Sequence, residues 1–176
     1  IKELNGLPLV AYTIKVAKKC KHINRIILTT DCEEIKEVGL KYGAEVPFLR
    51  PKELASDESK QEDAVIHAIN WCKENGFFPS KICLLEPTAP FRTLENLNEG
   101  FNLLETNQDA KGVVSVIEAS NNPMKCNTLR NDGFMKDWII EKYKYSNRQE
   151  MPSFYQLSPS VVISETIEFL IHKTFL

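Results

Sequence analysis

The chain has 176 residues, 43% hydrophobic and 26% charged, which is enough to bury one sizeable core and points to a single domain with room for a small appendage. The formal net charge of -2, with no dense Lys/Arg run, argues against a nucleic-acid or membrane-surface footprint. No apolar stretch approaches the roughly 20 residues that span a bilayer, and the first residues lack the basic-then-apolar order of a signal peptide. Cys20, Cys32, Cys72, Cys83 and Cys126 are too scattered for zinc or redox spacing and read as reduced thiols of a cytoplasmic protein. A chain that opens at Ile1 and stops at Phe175-Leu176 in an apolar run is expected to be a fragment or a trimmed form.

Pro8 reads as a first-turn proline, and Leu9, Val10, Ile14, Val16 and Ala17 recur at helical spacing until the basic end at Lys18, Lys19 and Lys21. Residues 25–30 form a β-rich run closed by Asp31. Residues 33–42 are helix-like, with Gly43 as the stop. Residues 45–49 read as a second strand, after which Arg50-Pro51 opens a polar loop through Ser56, Asp57 and Ser59. A helix over 61–75 follows from Val65, Ile66, Ile69 and Trp71-Cys72. Ile82-Cys83-Leu84-Leu85 is a buried strand ending at Glu86-Pro87, followed by a helix over 94–105 and another buried strand over 112–117.

Strands alternating with helices predict an α/β fold with a mostly parallel sheet. Residues 121–156 break that rhythm and read as an excursion. Val161-Val162-Ile163 then returns to the sheet, with a helix over 165–172. In open α/β sheets ligands bind beyond the carboxyl ends of the strands, which singles out Asp31, Arg50, Glu86-Pro87-Thr88 and Ser158. These residues could hold a charged, polyhydroxylated ligand, but they do not name a reaction.

Leu84-Leu85-Glu86-Pro87-Thr88-Ala89-Pro90-Phe91-Arg92-Thr93 is similar to the L-L-Q-P-T-S-P-L-R-T segment of the CMP-N-acylneuraminate synthetases, a family of sialic and nonulosonic acid cytidylyltransferases. Leu4-Asn5-Gly6 through Pro8-Leu9 resembles the family's L-x-G-x-P-L, and Thr29-Thr30-Asp31 its S-T-D. Leu49-Arg50-Pro51 followed by Glu53-Leu54-Ala55-Ser56-Asp57 resembles L-R-P-x-E-L-A-x-D, and Arg148 to Pro152 resembles R-R/Q-x-x-P.

The resemblance implies a three-layer α/β/α fold of the nucleotide-diphospho-sugar transferase type. It also implies a homodimer in which the 121–156 excursion lends residues to the partner's site. The implied reaction is attack of a sugar hydroxyl on the α-phosphate of CTP, with magnesium helping pyrophosphate to leave. By position Arg50 would contact the cytosine or its surroundings, and Asp57, Ser59, Lys60 and Gln61 would line the nucleotide pocket. Glu86 would be catalytic at the junction of nucleotide and sugar, and Thr88, Arg148, Ser158 and Ser160 would approach the sugar. The metal ligands are not named by any motif present.

Three departures bear on this. The family's R-x-G-S-K-G phosphate loop would be expected immediately before Ile1 and its acidic metal-binding residues beyond Leu176, so the chain by itself is expected to be incomplete for activity. Ser158-Pro159-Ser160-Val161-Val162 stands where the family has N-G-A-I-Y, which suggests a sugar other than ordinary N-acetylneuraminate. Glu86 replaces a glutamine, and the carboxylate is expected to help bind the metal. Two alternatives stay open: a related nucleotidyltransferase using another sugar or sugar phosphate, and a non-catalytic truncated or degenerate paralogue that only dimerises.

Structural readings compete with these. Asp31 could cap the helix that starts near Glu33, and Arg92 reads as a brace. His67 reads as a partly buried, satisfied histidine, and His22 and His172 have no evident partner in the sequence. Trp71, Phe77 and Phe78 read as packing, and Lys142 to Lys144 as a solvated face.

Overall fold

The computed structural model describes residues 1–136 and 141–176, with Arg148 described in its backbone only. The chain divides into two compact units, Ile1–Ser115 with Pro159–Leu176, and Val116–Ser158. The first unit carries most of the regular structure. It opens with a hairpin, β1 (Glu3–Leu4) and β2 (Leu7–Pro8), joined by Asn5 and Gly6, both at positive φ. That is the two-residue turn whose twist suits a tight hairpin, and Asn-Gly is the pair that adopts it most readily.

α1 (Leu9–Ala17) follows, with Pro8 as its N-cap residue rather than inside the first turn. Tyr12 ties helix to hairpin by donating to the Leu4 carbonyl at 2.8 Å. α2 (Glu33–Tyr42) ends on Gly43, whose φ of 90° provides the left-handed stop. Its N-cap residue is Cys32 and no side chain caps it, so Asp31 does not fill the capping role. α3 (Gln61–Glu74) and α4 (Leu94–Thr106) sit where the apolar spacing places them. α4 starts with a capping box, in which Thr93 Oγ1 accepts from the Asn96 amide and Asn96 Oδ1 from the Thr93 amide.

Three strands form the larger sheet in the order β3 (Lys81–Leu84), β5 (Tyr155–Glu165), β4 (Gly112–Glu118). β5 pairs antiparallel with β3, Cys83 opposite Ile163, so this strand departs from the parallel pattern of the βα alternation. The two strands expected over 25–30 and 45–49 are reduced to one parallel bridge, Ile27 with Glu45, extended by the Arg50 amide donating to the Thr30 carbonyl at 2.8 Å. Pro47 has no N–H to give a ladder, which explains why that pairing stays short. α5 (Thr166–His172) closes the unit.

The main core joins Cys20, Leu97, Phe101 and Leu104 to Val161 and Ile163 of β5. Leu97 and Ile163 are completely buried, each contributing about 1.5–3 kcal/mol by removal from water. A second cluster packs Val10, Ile14 and Ala44 with Ile26, Leu28 and Val38. Between them, the clusters anchor α1 and α4 and place the ends of residues 26–30 and of β3.

The second unit contains the outer half of β4, the start of β5 and short 3-10 turns at Pro123–Lys125, Glu141–Tyr143 and Arg148–Glu150. Asn122 caps the first of these turns by accepting from the Met124 amide at 2.9 Å. A bridge between Leu129 and Met135 brackets a turn at Asn131-Asp132-Gly133.

Candidate functional site

A cleft of about 770 Å³ opens in the first unit between residues 25–29 and the stretch from Lys81 to Glu86. Val10, Ile14 and Ala17 of α1 and Ala64 and Val65 of α3 also line it. β3 is the edge strand of its sheet, so much of the cleft is an apolar slot along strand edges. Charged and polar groups gather where the strands end: Thr29, Arg50, Gln61 and Glu86. Gln61 is the first residue of α3, so the amide end of a 14-residue helix, which favours anions, lies at the same place.

The Glu86 carboxylate is held from two sides. Gln61 Nε2 donates to Oε1 at 3.1 Å, and Thr88 Oγ1 donates to Oε2 at 3.0 Å. Three sequence-selected residues, two of them neighbours in the strand-end turn and one on α3, therefore form one constellation. Each carboxylate oxygen keeps a further lone pair for a ligand hydroxyl.

Arg50 lines the cleft with its side chain mostly buried. Its nearest acid is the half-exposed Asp31, at 3.7 Å from Nη2, too long for a hydrogen bond. Its Nε is buried and, among the described residues, has no partner, as is also true of Thr29 Oγ1. Buried donors are normally satisfied, so a cleft-lining guanidinium with an unpaired Nε has hydrogen-bonding capacity left for an acidic or carbonyl-bearing ligand.

The other selected residues lie elsewhere or do other work. Asp57 and Lys60 are exposed and do not line the cleft. Ser59 is a staple of its own loop: its Oγ donates to the Glu53 carbonyl at 2.9 Å and accepts from the Ser56 amide at 3.1 Å. Ser160 belongs to the first unit and Ser158 to the second. The Arg148 side chain, assigned to the sugar, lies outside the described residues.

Two details differ from the sequence reading. His67 Nδ1 is buried and, among the described residues, has no hydrogen-bond partner, its ring set edge-on to Phe48 at 4.5 Å, so this histidine departs from the satisfied one expected. His22 does have neighbours, stacking on Phe101 at 4.9 Å and standing 3.4 Å from Glu105.

Arg92 is the brace that its place in the sequence suggested. It is 6% exposed and ties the turn after β3 to α1 and β5, while burial pulls its pKa below the ordinary guanidinium value. The same burial raises the neighbouring Cys83 thiol to about 12, so Cys83 is an inert core group at neutral pH. The available signal was the R of the P-x-x-P-x-R stretch, but nothing in a linear pattern says which carbonyls a guanidinium will reach.

No group of three or more His, Cys, Asp or Glu residues that could hold a metal occurs among the described residues. Glu86 is a single carboxylate already engaged by two donors. By themselves the described residues do not make up a full metal centre, and Glu86 offers one carboxylate whose oxygens each keep a lone pair.

Comparison with known proteins agrees with this architecture. The family model described as cytidylyltransferase matches residues 1–172. The chain is 30% identical to a CMP-N,N'-diacetyllegionaminic acid synthase of Legionella pneumophila over 98% of its own length and 73% of that protein. It is 37% identical to a pseudaminic acid cytidylyltransferase of Campylobacter jejuni over 58% of its length and 44% of that protein. Among solved structures it superposes on a CMP:2-keto-3-deoxy-manno-octonic acid synthetase complexed with CTP with a TM-score of 0.68 at 8% identity, covering 98% of this chain and 69% of that one, a likeness of fold. With a strand-end site of this kind and a match over nearly its whole length, the chain belongs to the cytidylyltransferase family.

Proposed function

We propose that the protein transfers CMP from CTP to a nonulosonic, sialic-acid-like sugar and releases pyrophosphate. The observation that carries this reading is the convergence of Arg50, Gln61 and Glu86 on one end of a single cleft, with the Arg50 Nε buried and unpaired among the described residues. The relatives that act on legionaminic and pseudaminic acids support the substrate class.

In the reaction the sugar hydroxyl attacks the α-phosphorus, a new P–O bond forms, and the bond to the bridging oxygen breaks with pyrophosphate as leaving group. Both reactants are anionic, so an uncommitted cation is the first requirement, and Arg50 supplies it beside the amide end of α3. Gln61 and Thr88 orient the Glu86 carboxylate so that a remaining lone pair accepts the hydrogen bond of the attacking hydroxyl and draws its proton away. CTP is expected to arrive as its magnesium complex, and no step is assigned to the metal. Asp57, Ser59 and Lys60 on the nucleotide side, and Ser158, Ser160 and Arg148 on the sugar side, enter by family resemblance.

The proposal extends to setting and assembly. All five cysteines are free, which suits a reducing cytoplasm, and no helix among the described residues is long and apolar enough to cross a membrane. The product would supply activated sugar for surface polysaccharide, lipopolysaccharide or glycoprotein. In the second unit Leu129, Phe134, Met135, Tyr145, Tyr155 and Leu157 are all exposed, an apolar excess that a second copy of the chain would cover in a homodimer.

The test is pyrophosphate release by the complete protein with CTP and magnesium, across neuraminic, legionaminic and pseudaminic acids, with GTP and UTP as controls. Release with CTP and one of these acids is expected. Release only with another nucleotide, or only with a sugar phosphate, would replace this reading with that of a related nucleotidyltransferase, for which the unusual Ser158-Pro159-Ser160 stretch is the argument. A folded, complete protein inert with every pair would point to a non-catalytic paralogue.

A further inference from the structure

Arg92 spends four of its donors on four acceptors from three separate parts of the chain. Its Nε donates to the Ser160 carbonyl, and its Nη2 donates to the carbonyls of Glu86 and Pro159, both at 3.0 Å. Its Nη1 donates to the Thr13 hydroxyl of α1 at 3.3 Å. None of these acceptors is a carboxylate. A cation buried only for stability is better served by a counter-ion, because neutral carbonyls compensate its lost hydration less fully. What carbonyls offer instead is a record of where the backbone lies: a rigid planar fork bonded to three of them sets their mutual distances.

All three carbonyls matter for the site. One belongs to Glu86, whose carboxylate is presented to the cleft by Gln61 and Thr88. The other two are the consecutive Pro159 and Ser160 carbonyls of β5. A guanidinium lodged between them controls the spacing of the Glu86–Thr88 turn and β5. A lysine could keep the charge, but its single nitrogen cannot span the same set of acceptors.

We propose that Arg92 is a positioning residue, which sets the distance between the Glu86–Thr88 turn and the Pro159–Ser160 stretch of β5 and thereby fixes the Glu86 carboxylate against the bound substrates. The proposal rests on Glu86 serving the transfer described above.

Arg92→Lys tests it with two readouts. By hydrogen exchange on the chain, the amides of Glu86, Thr88, Ala89 and Phe91 and those of 160–163 are expected to exchange about tenfold faster or more, while α3 and α4 keep their protection, since the lost bonds are local. By pyrophosphate release in the complete enzyme, kcat is expected to fall about tenfold or more, with KM for CTP held within about twofold.

A uniform rise in exchange with unchanged kcat would overturn the proposal, because it describes a brace for the whole fold. Unchanged exchange in both segments would overturn it as well. If Arg92→Lys does not fold, Thr13→Val removes one acceptor and leaves the rest. Faster exchange at 86–91 in that variant supports the proposal, and unaltered exchange there sinks it. Glu86→Ala separates the two levels of the argument. If that variant keeps full turnover, the role given to Glu86 is wrong. If it loses turnover while Arg92→Lys does not, only the positioning role fails.

Discussion

Arg25 and Arg50 carry the same guanidinium and use it in opposite ways. Arg25 is fully committed: its Nε donates to Glu45 Oε1 at 2.9 Å, Nη2 donates to the other oxygen, and the group lies 5.0 Å from the Phe77 ring centre and 5.8 Å from that of Trp71. Among the described residues Arg50 has a distant Asp31 as its nearest acid and an unpaired Nε.

Arg50→Ala is therefore expected to raise KM for CTP about 10–100-fold, the worth of a charge-assisted hydrogen bond, with a smaller change in kcat measured by pyrophosphate release. For Arg25 the consequence is one of stability. Its hydrogen bond holds the Glu45 carboxyl below the ordinary value of 4.5, against a smaller opposing effect of burial. A carboxylate whose pKa is depressed by folding stabilises above its unfolded pKa and stops doing so as the pH falls through the folded one. Glu45 is 43% exposed, so solvent screening keeps the contribution to about 0.5–1 kcal/mol. Urea denaturation of Glu45→Gln should show a loss of that size at pH 7 that shrinks as the pH drops below 4.5.

Among the elements, α4 packs closely against β5 in the main core. Gly100 faces the sheet so closely that an added Cβ would lie 2.8 Å from Val161 Cγ1 and 3.1 Å from Ile163 Cδ1. Gly100→Ala should cost about 1–3 kcal/mol by overpacking, despite alanine's better helix propensity, and a thermal melt would register it as a lower midpoint. The helical elements were readable because each shows an apolar face at 3.6-residue spacing, and the 94–105 helix was expected within one residue of its observed end. The N-terminal hairpin was missed although Asn5-Gly6 is a strong turn signal, because flanking strands of two residues each carry no periodicity to notice.

For the whole molecule, the central question is what covers the second unit. Its exposed apolar residues are numerous for a stretch of 43 positions, 116–158, and a homodimer should bury them. Phe134→Asp on this surface is expected to shift a sedimenting dimer toward monomer, with the far-UV spectrum unchanged. A parent protein that sediments as a monomer at all concentrations would remove the dimer from the proposal.

Chain order and local chemistry were enough to establish the α/β class, the helix limits, and Glu86 as a residue just past a strand end, because these depend on periodicity and on punctuation by glycine and proline; Arg50 was selected as the end of a strand that the structure reduces to a single bridge. Only the tertiary structure decided which of the candidates share a site. Gln61 and Glu86 are 25 positions apart yet meet at 3.1 Å, while Ser59, two residues before Gln61, turns back into its own loop. The brace role of Arg92 was legible, but its partners were not, since its carbonyl acceptors lie up to 68 positions away. Hydrogen-bond partnership across such separations depends on how the helices and β5 pack, and the spacing of residues along the chain does not encode it.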